Sequence, residues 1–573
     1  MSNAPWFDRE EILTSLTRRV EGFLAGYRQN CALLGPEAVG KTTLLKRFLQ
    51  TRVPRSSLVT IYMEVGEGDS FTEWVVQFVQ SVLCGLLHAR DAHPAPEEFS
   101  RILQVASLRF PQACADAAKI VACAEAGRYE EVFDKLWDLP RQVTQEAGIP
   151  CLLVLDEFHR LQRFPVKEPF GRLGRSIMSQ STTMYLVASS STRVARSILQ
   201  EGLNLLFGKF EIVEMGPLDP TACLQAIRSV WPLEAGDPFL ECLLIELAQG
   251  YPGCLDLLLQ GVLDRRLADP HEDQERIVLD TLESQLLEPR GILRQRFEER
   301  VRSLPTHRSR LTWIQTLAAV ARGSHRVPQI ANTVGRSLSQ VVRSLRVLEQ
   351  AGLVAKQGVF YRVPDRLFQL WMDTAFPLLR GAGLTDPNIL RARFRDSVWA
   401  WMMKAREAIH QPIEEQVAAL LKSWAGELVE IGRHKILLPA FNRVERLGGP
   451  TGRFMILAHR TGPAGKSWLV IPWAGFLDES QARSIAQWVL HCAGKPHRKV
   501  LVGAHPIEMN ARLILQEAQI RLWDLSVLNS LLDLYGLARI SLPSGVRSPL
   551  AQTHSIIPEA APTPADTQLK KVT

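Results

Sequence analysis

The segment that most constrains this chain is a short apolar run followed by a glycine-containing loop. Cys31–Leu34 are apolar, residues 35–43 read GPEAVGKTT, and helix-forming residues follow directly. In a strand, loop and helix of this kind, glycines let the backbone curl around phosphate oxygens, and the helix N-terminus adds partial positive charge. The segment therefore predicts a P-loop that binds a nucleoside triphosphate, with ATP and Mg²⁺ as the expected ligands.

Two side chains of the loop have specific predicted roles. Lys41 is expected to reach the β and γ phosphates as a mobile point charge, and the Thr42 hydroxyl is expected to ligate Mg²⁺. The predicted nucleotide-binding residues of the loop are Gly35, Pro36, Glu37, Ala38, Val39, Gly40, Lys41, Thr42 and Thr43. The same pattern also occurs in ordinary turns, so a second motif is needed to support it.

That second motif is a pair of acids after another apolar run. Cys151–Leu155 lead directly into Asp156 and Glu157. At the carboxyl end of a strand, Asp156 is expected to hold Mg²⁺ and the nucleotide, and Glu157 to polarise the attacking water. Glu157 and Lys41 are thus the predicted catalytic residues. Adjacent acids at a strand end are otherwise often a solvated turn.

Three further apolar runs, Leu58–Val65, Met184–Ala188 and Phe210–Val213, are predicted strands with helical sequence between them. Such alternation predicts an α/β fold with a parallel sheet and ligands at the carboxyl ends of its strands. After the second of these runs, Ser190 is predicted to sense the γ-phosphate, with a plain serine-rich turn as the alternative. The helical segment 71–147 is longer than a simple crossover.

The bulk composition excludes several classes of protein. With 46% hydrophobic and 22% charged residues, the chain is too apolar to be disordered. Its nine cysteines show no zinc-binding spacing, so reduced thiols are expected. The N-terminus lacks an apolar signal core, and no apolar run reaches the ~18 residues of a membrane span. A cytoplasmic protein without membrane contact is expected.

Together these motifs resemble the archaeal-type ATPases of the AAA+/STAND group, which are P-loop NTPases. The resemblance covers about residues 5–372, and its motifs are FDREE at 7–11, GPEAVGKT at 35–42, LLVLDEF at 152–158, VASSS at 187–191 and GYPG at 250–253. It implies an ASCE/AAA+ sheet with a helical lid, and self-association through the ATPase core. It also implies that Tyr251, Pro252 and Gly253 lie near the nucleotide and couple it to the lid.

The sequence departs from this group at one position. Members tend to carry an arginine in the segment where residues 206–210 read LFGKF. Lys209 cannot make the forked contact of an arginine finger. Arg193 and Arg196 are substitutes that the sequence does not rank. Slow hydrolysis, or switching by nucleotide occupancy, is therefore expected.

Positive charge is concentrated in residues 301–364, which carry ten basic side chains against one acidic side chain, Glu349. Three helices and a small hairpin are predicted there, at Arg310–Ala321, Val327–Val334, Leu338–Gln350 and residues 352–363. This order is typical of a winged helix-turn-helix, whose third helix can enter a major groove.

Periodicity divides the third of these helices into two faces. The predicted buried stripe is Leu338, Val341, Val342, Leu345 and Leu348. Arg336, Gln340, Arg343 and Arg346 are the predicted DNA-binding residues, with Ser339 also on their outward face. A lid or a protein-contact module is the alternative to DNA binding.

Residues 388–545 are predicted to be a mixed α/β domain. Their element order resembles the restriction-endonuclease-like fold of the PD-(D/E)xK nucleases, and RLWDL at 521–525 through Tyr535-Gly536 resembles the tail of Mrr-type members. Catalysis in that fold needs an acid and an acid-x-lysine on neighbouring strands, but residues 469–473 read LVIPW. Nuclease activity is therefore not expected, and Glu414, Glu415 and Glu445 are interpreted as solvated acids.

The predicted domains are an ATPase core (1–217), a helical lid (218–300), a winged helix (301–372), a restriction-endonuclease-like domain (388–545) and a disordered tail (546–573). The leading hypothesis is an ATP-switched, DNA-associated ATPase. A STAND-type signalling or defence ATPase whose C-terminal domains bind protein is the alternative, and an ATP-dependent nuclease is the third.

Overall fold

The computed structural model describes residues 9–540 except 55, 67, 91–97, 203–209, 231–237, 270, 382–385, 432–433, 450–453, 461–466, 492–495 and 504–506. The chain divides into two units, one comprising Met1–Leu233 with Leu247–Ala268 and the other Glu234–Glu246 with Asp269–Thr573. The finer five-part division stays a prediction. Phe7, Asp8, Leu206–Lys209 and the predicted disordered tail lie outside the described residues.

The first unit is built on a five-stranded, fully parallel sheet with the order β2-β3-β4-β1-β5. All five predicted strands are observed, with ends shifted by one or two residues at most. Their bounds are β1 Asn30–Leu34, β2 Val59–Glu64, β3 Cys151–Asp156, β4 Thr183–Ser189 and β5 Phe210–Glu214.

The three central strands β3, β4 and β1 are buried along their whole length. Successive side chains of a strand point to opposite faces, so β1 contributes to two cores. Ala32 and Leu34 belong to one core, and Cys31 and Leu33 to the other. This explains why the central strands read as continuous apolar runs rather than as alternating ones.

Helices cover both faces of the sheet. They are α1 Glu10–Leu24, α2 Lys41–Thr51, α3 Phe71–Arg90, α4 Phe99–Ser107, α5 Pro111–Glu125, α6 Tyr129–Ala147, α7 Pro169–Ser179, α8 Thr192–Ser197 and α9 Pro220–Val230, with a 3₁₀ helix at Phe158–Arg163 and a π-helical turn at Ile198–Gly202. Two more follow, α10 Pro238–Ala248, which spans the boundary between the units, and α11 Pro252–Ala268. The long segment predicted as helical thus contains the four helices α3 to α6.

Helix α3 approaches the edge strand β2 closely at Gly85. A Cβ added at Gly85 would collide with the carbonyl oxygen of Thr60 in β2. The absence of a side chain therefore allows the helix backbone to approach the strand.

From Asp269 onward, the second unit continues with helices. They are α12 Gln274–Leu286, α13 Ile292–Arg302, α14 Arg310–Ala321, α15 Val327–Val334, α16 Leu338–Gln350, α17 Arg366–Asp373, α18 Ala375–Gly381 and α19 Pro387–His410. The bounds of α14, α15 and α16 are those predicted. A hairpin of β6 Ala355–Gln357 and β7 Phe360–Arg362 follows α16.

The buried stripe of α16 differs from the predicted one. Val341, Leu345 and Leu348 are buried, but Leu338 is 54% exposed and Val342 40% exposed. Ser344 completes the buried face instead. The prediction for Leu338 and Val342 was wrong because these positions lie at the flank of the helix, where residue type alone does not set burial.

A mixed sheet forms the last part of the second unit. Its order is β10-β11-β12-β13-β14, with antiparallel pairing from β10 to β12 and parallel pairing from β12 to β14. The elements are α20 Ile413–Ser423, β8 Glu427–Ile431, β9 His434–Leu438, β10 Phe441–Gly448, β11 Phe454–Arg460, β12 Ser467–Trp473, α21 Glu479–His491, β13 Arg498–Gly503, α22 Met509–Glu517, β14 Ile520–Trp523 and α23 Leu525–Leu534.

Within residues 388–545 the sequence predicts strands near residues 428–438, 454–458, 468–471 and 500–502. The strand β10 was missed by this prediction, and residues 428–438 lie in the hairpin β8–β9. Because β10 is an edge strand with mostly exposed or half-exposed side chains, it carries no apolar alternation that marks it as a strand.

None of the described helices combines the length and apolar character that a membrane-spanning helix requires.

The hairpin β6–β7 is packed into this last part of the chain. Phe360 is buried in the same core as Trp424 and Leu531, and its ring lies 5.1 Å from that of Tyr535. Gly358, with a φ of +66°, lies directly against the backbone of Leu428 in β8. The hairpin that was predicted as a wing is therefore part of the C-terminal hydrophobic core.

We predict that Gly85→Ala lowers the melting temperature, because its new methyl group overlaps the backbone of Thr60 and overpacking typically costs about 1–3 kcal/mol. Gly22→Ala is the matched control. Gly22 is also helical, but its added Cβ would lie 3.7 Å from the nearest atom, so this variant should melt at or above the wild-type temperature. Thermal unfolding followed by circular dichroism measures both, and equal melting temperatures would contradict the close approach of α3 to β2.

Candidate functional site

The predicted phosphate loop lies between the end of β1 and the start of α2. Two of its residues have left-handed backbones, Ala38 with φ 60° and Gly40 with φ 93°. At Gly35, a side chain would collide with the carbonyl oxygen of Met215. The loop is thus folded back by φ values and close approaches that favour glycine, and the free N–H groups of the first turn of α2 follow it.

Lys41 is the first residue of α2 and is only 4% exposed. Its Nζ donates to the carbonyl oxygens of Gly35 and Pro36, at 2.9 Å each. Burial lowers the pKa of Lys41, while the carboxylates of Glu157 and Asp156 act in the opposite direction. The ammonium group is therefore held within the curl of the loop, where phosphate oxygens are expected to replace the carbonyls.

Thr42 and Asp156, the two predicted Mg²⁺ ligands, are brought together by the sheet. The Thr42 hydroxyl donates to Asp156 Oδ2 at 2.6 Å, and the Tyr62 hydroxyl donates to the same oxygen at 3.1 Å. Burial, reinforced by the charge of Asp156, raises the pKa of Tyr62, so its hydroxyl stays protonated and can donate. A carboxylate next to a hydroxyl oxygen fits the oxygen preference of Mg²⁺.

Glu157 is fixed by the end of the neighbouring strand β4. Its Oε2 accepts from the Ser190 N–H at 3.0 Å and from the Ser190 hydroxyl at 2.7 Å. His159 Nδ1 lies 3.3 Å from the same oxygen and 2.9 Å from the Ser189 hydroxyl. Burial lowers the pKa of His159, which favours its neutral form. Ser190, predicted as a γ-phosphate sensor, contacts the predicted base instead.

The segment Gly250–Gly253 meets the phosphate loop directly. The Gly253 N–H donates to the Ala38 carbonyl at 3.3 Å, and Pro252 lies beside Gly40. Gly250 has a φ of +75° and lies against the backbone of Leu218, where a side chain has no room. The start of α11 is therefore positioned on the loop, which agrees with the place predicted for the Tyr251–Gly253 segment.

The other predicted residues of the loop differ in their burial. Val39 is fully buried, Pro36 is half-buried, and Glu37 and Thr43 are exposed. Of the two candidate arginines, Arg196 forms an ion pair with Glu214, whereas Arg193 is exposed. Lys209, the residue that departs from the family pattern, is not among the described residues.

Sequence reasoning missed two residues of this site, Tyr62 and His159. Tyr62 lies on β2, which pairs with β3 so that Glu64 stands opposite Asp156. A tyrosine two residues before that register position can reach the acid across the strands, but the register of β2 against β3 is needed to see this. His159 is adjacent in sequence to the motif, and its spacing from Glu157 was an available signal.

The predicted DNA-binding residues form a second site, on α16 and the turn before it. Arg336, Arg343 and Arg346 are exposed, and none of them has an ion pair within the part of the chain that the structure describes. Gln340 is exposed too, but its Oε1 accepts from the Ser337 N–H at 3.2 Å in a capping box that begins α16. Its amide therefore stabilises its own helix.

Two of the three predicted solvated acids of the C-terminal part have basic partners, and the third, Glu414, is half-buried. Glu415 pairs with Arg446 at 3.4 Å, and Glu445 pairs with Arg443. Leu469 and Ile471 of β12 are buried in an apolar core. Among the described residues, no group of three or more His, Cys, Asp or Glu side chains is arranged to hold a metal ion.

Comparison with known families agrees with the first site. Residues 5–181 match the family model described as "AAA ATPase domain". This chain carries an AAA ATPase domain. The matched range includes the phosphate loop, Asp156 and Glu157, so ATP hydrolysis is the activity of this domain. No match was found among curated proteins.

Solved structures with similar architecture include a Walker-type ATPase of Pyrococcus abyssi, 18% identical, covering 64% of this chain and 96% of that one with a TM-score of 0.40. The ORC2 protein of Aeropyrum pernix is 11% identical, with 69% and 95% coverage and a TM-score of 0.40. The ORC1 protein of the same organism in complex with DNA is 14% identical, with 66% and 95% coverage and a TM-score of 0.36. At these values the likenesses carry no functional argument.

For the AAA ATPase domain, we predict that Glu157→Gln lowers the hydrolysis rate about 10²–10⁴-fold while ATP still binds, since a general base contributes that much. Lys41→Ala should instead weaken ATP binding, because it removes the buried ammonium group. Steady-state phosphate release and nucleotide titration measure these effects. Glu168→Gln, another glutamate with positive φ but exposed and outside the site, is the control and should retain both activities.

We predict that Tyr62→Phe raises the Mg²⁺ concentration needed for tight ATP binding about tenfold, because groups that orient a metal ligand typically change metal affinity 10–100-fold. Nucleotide titrations at graded Mg²⁺ measure this directly. The control is Tyr185→Phe, at another tyrosine of the same sheet. It removes the buried hydrogen bond from the Tyr185 hydroxyl to Gln180 and should leave the Mg²⁺ dependence unchanged. An unchanged Mg²⁺ midpoint in Tyr62→Phe would limit Tyr62 to a packing role.

Proposed function

We propose that this protein is an ATP-switched ATPase of the AAA+/STAND type that associates with duplex DNA through α16. The observation that supports this most is which basic side chains of the second unit have partners and which are exposed. Within residues 301–364, four arginines find partners in the fold, namely Arg302, Arg310, Arg322 and Arg326. Arg336 before α16, and Arg343 and Arg346 on it, are exposed together.

Three of these partners are acids outside the basic segment, which the sequence count could not show. Arg302 pairs with Glu298, and Arg322 with Asp373. Arg326 pairs with Glu427 of β8. A further arginine, Arg310, donates to the carbonyls of Val301 and Arg302. Three of the ten basic side chains are therefore neutralised within the fold, whereas Arg336, Arg343 and Arg346 lie together on the outward face of α16 and the turn before it.

Such a face fits a polyanion. Arg336 in the turn before α16, and Arg343 and Arg346 on the helix, can each contact a phosphate or a guanine edge. Binding to phosphates also releases counterions. The hairpin β6–β7 contributes less than a free wing would, because Phe360 is buried in the C-terminal core. The proposed DNA contact is therefore made by α16 and the turn at Arg336.

The polypeptide chain connects the nucleotide site to the unit that carries this surface at two points. The segment Leu247–Ala268 contains α11, which begins on the phosphate loop, and it is joined at both ends to residues of the second unit. A change at the loop can thus be carried along the chain in two places. ATP shifts such an equilibrium only by its differential affinity for the two states.

At the ATPase site the proposed roles follow the hydrogen bonds. Thr42 and Asp156 hold Mg²⁺, which when bound neutralises charge on the phosphates. Lys41 contacts the phosphates, and Glu157 takes a proton from the attacking water after leaving Ser190. Self-association through the ATPase core and a cytoplasmic location are part of the proposal.

The test is binding of labelled duplex DNA at several salt concentrations, with and without ATP. We predict that Arg336→Ala/Arg343→Ala/Arg346→Ala lowers the affinity and flattens its salt dependence. The slope of log affinity against log salt should fall by up to about 0.9 for each phosphate that the variant no longer neutralises. Lys41→Ala should bind DNA but show no effect of ATP on that binding.

The matched control is Arg302→Ala/Arg308→Ala/Arg322→Ala, which removes the same charge from exposed positions of the same segment and should keep the wild-type slope. If wild type shows no salt-dependent binding in either nucleotide state, the DNA proposal is wrong. A signalling ATPase whose second unit binds protein would then be the better account.

A further inference from the structure

Two aliphatic side chains that lie beside the arginines of α16 are exposed to solvent. Leu338 is 54% exposed and Val342 is 40% exposed. Single exposed aliphatics are common on protein surfaces. These two, however, are four residues apart and therefore adjacent on one helix face.

Their basic neighbours on the helix are Arg343 and Arg346, and Glu349 near its end is the one acid of α16. Leu338, Val342 and Arg346 follow one another at intervals of four residues, and Ser339 and Arg343 form the next row. The helix is held in this orientation by the stripe next to the pair, since Val341 and Leu345 are fully buried. A molecule that binds this side of α16 therefore contacts both the apolar pair and the arginines.

The capping box of α16 limits which side chains of this face can contact base edges. The Gln340 side-chain oxygen accepts from the Ser337 N–H and hydroxyl. While it does so, the side chain cannot make the paired contact with adenine that a glutamine can offer. The side chains left for base edges near the helix N-terminus, where recognition helices contact bases, are Leu338, Ser339, Val342 and Arg343.

A duplex offers one apolar group on the floor of its major groove, the C5-methyl of thymine. We propose that Leu338 and Val342 contact thymine methyl groups while Arg336, Arg343 and Arg346 contact phosphates and guanine edges. The positive charge around the pair selects a duplex over an apolar protein surface. This inference rests on the proposed function and adds the chemical feature of DNA that the site reads.

The test replaces thymine by uracil, which removes only the methyl group. Wild type is titrated with a short labelled duplex of alternating adenine and thymine and with its adenine–uracil counterpart, by fluorescence anisotropy at fixed salt. Wild type should bind the thymine duplex more tightly by about fourfold for each methyl contacted, the value expected for burying one methyl-sized group.

In Leu338→Ala/Val342→Ala the preference for thymine should vanish, with affinity for the uracil duplex and the salt slope near wild type. Both residues are exposed and alanine favours helix, so the variant should fold. Leu311→Ala, which truncates another exposed leucine (49%) on α14, is the control and should retain the preference.

Three outcomes would overturn the inference. If wild type binds both duplexes equally but with a salt slope, the methyl contact is wrong and the proposed DNA association stands. If the thymine preference persists in the double variant, it comes from DNA shape rather than from these side chains. If neither duplex shows salt-dependent binding, the proposed function fails and this inference fails with it.

Discussion

Parallel pairing of β3, β4 and β1 is the constraint on which the ATPase site depends. Because these strands run in the same direction and lie side by side, their carboxyl ends meet at one edge of the sheet. That edge carries the phosphate loop after β1, Ser190 after β4, and Asp156 and Glu157 at the end of β3. Residues more than a hundred positions apart, such as Thr42 and Asp156, come within hydrogen-bond distance only because of this order.

The same edge explains why the predicted base and the predicted sensor bond to each other. Glu157 has a left-handed backbone, with φ 52°, at the turn after β3. This turn directs its carboxylate toward the end of β4, where the N–H and hydroxyl of Ser190 donate to it. In the proposed function, Glu157 exchanges these donors for the attacking water, and the hydrogen bonds would then couple the chemistry to the position of β4.

In the second unit the hairpin β6–β7 joins two parts that the sequence presents as separate. Phe360 lies in the C-terminal core, Arg326 pairs with Glu427, and the Tyr535 hydroxyl donates to Glu427 at 2.8 Å. Nearby, Asp533 is buried between Arg366 and Arg539, and these cations hold its pKa low despite its burial. Breaking such a network leaves a buried charge unpaired, which is costly. The helices α14 to α16 are thereby tied to the mixed sheet, and α16 keeps its outward face.

Local signals in the sequence determined the five strands of the first sheet, the phosphate loop and the bounds of α14, α15 and α16. Apolar runs, a glycine-rich turn and helix caps act over a few neighbouring residues, so each can be interpreted without knowing the rest of the chain. Only the tertiary structure decided the contact of Tyr62 with Asp156, the pairing of Arg322 and Arg326 with distant acids, the strand β10, and the exposure of Leu338 and Val342. Each of these depends on which element lies beside another, and strand register and helix orientation are set by packing across the whole unit rather than by the residues themselves.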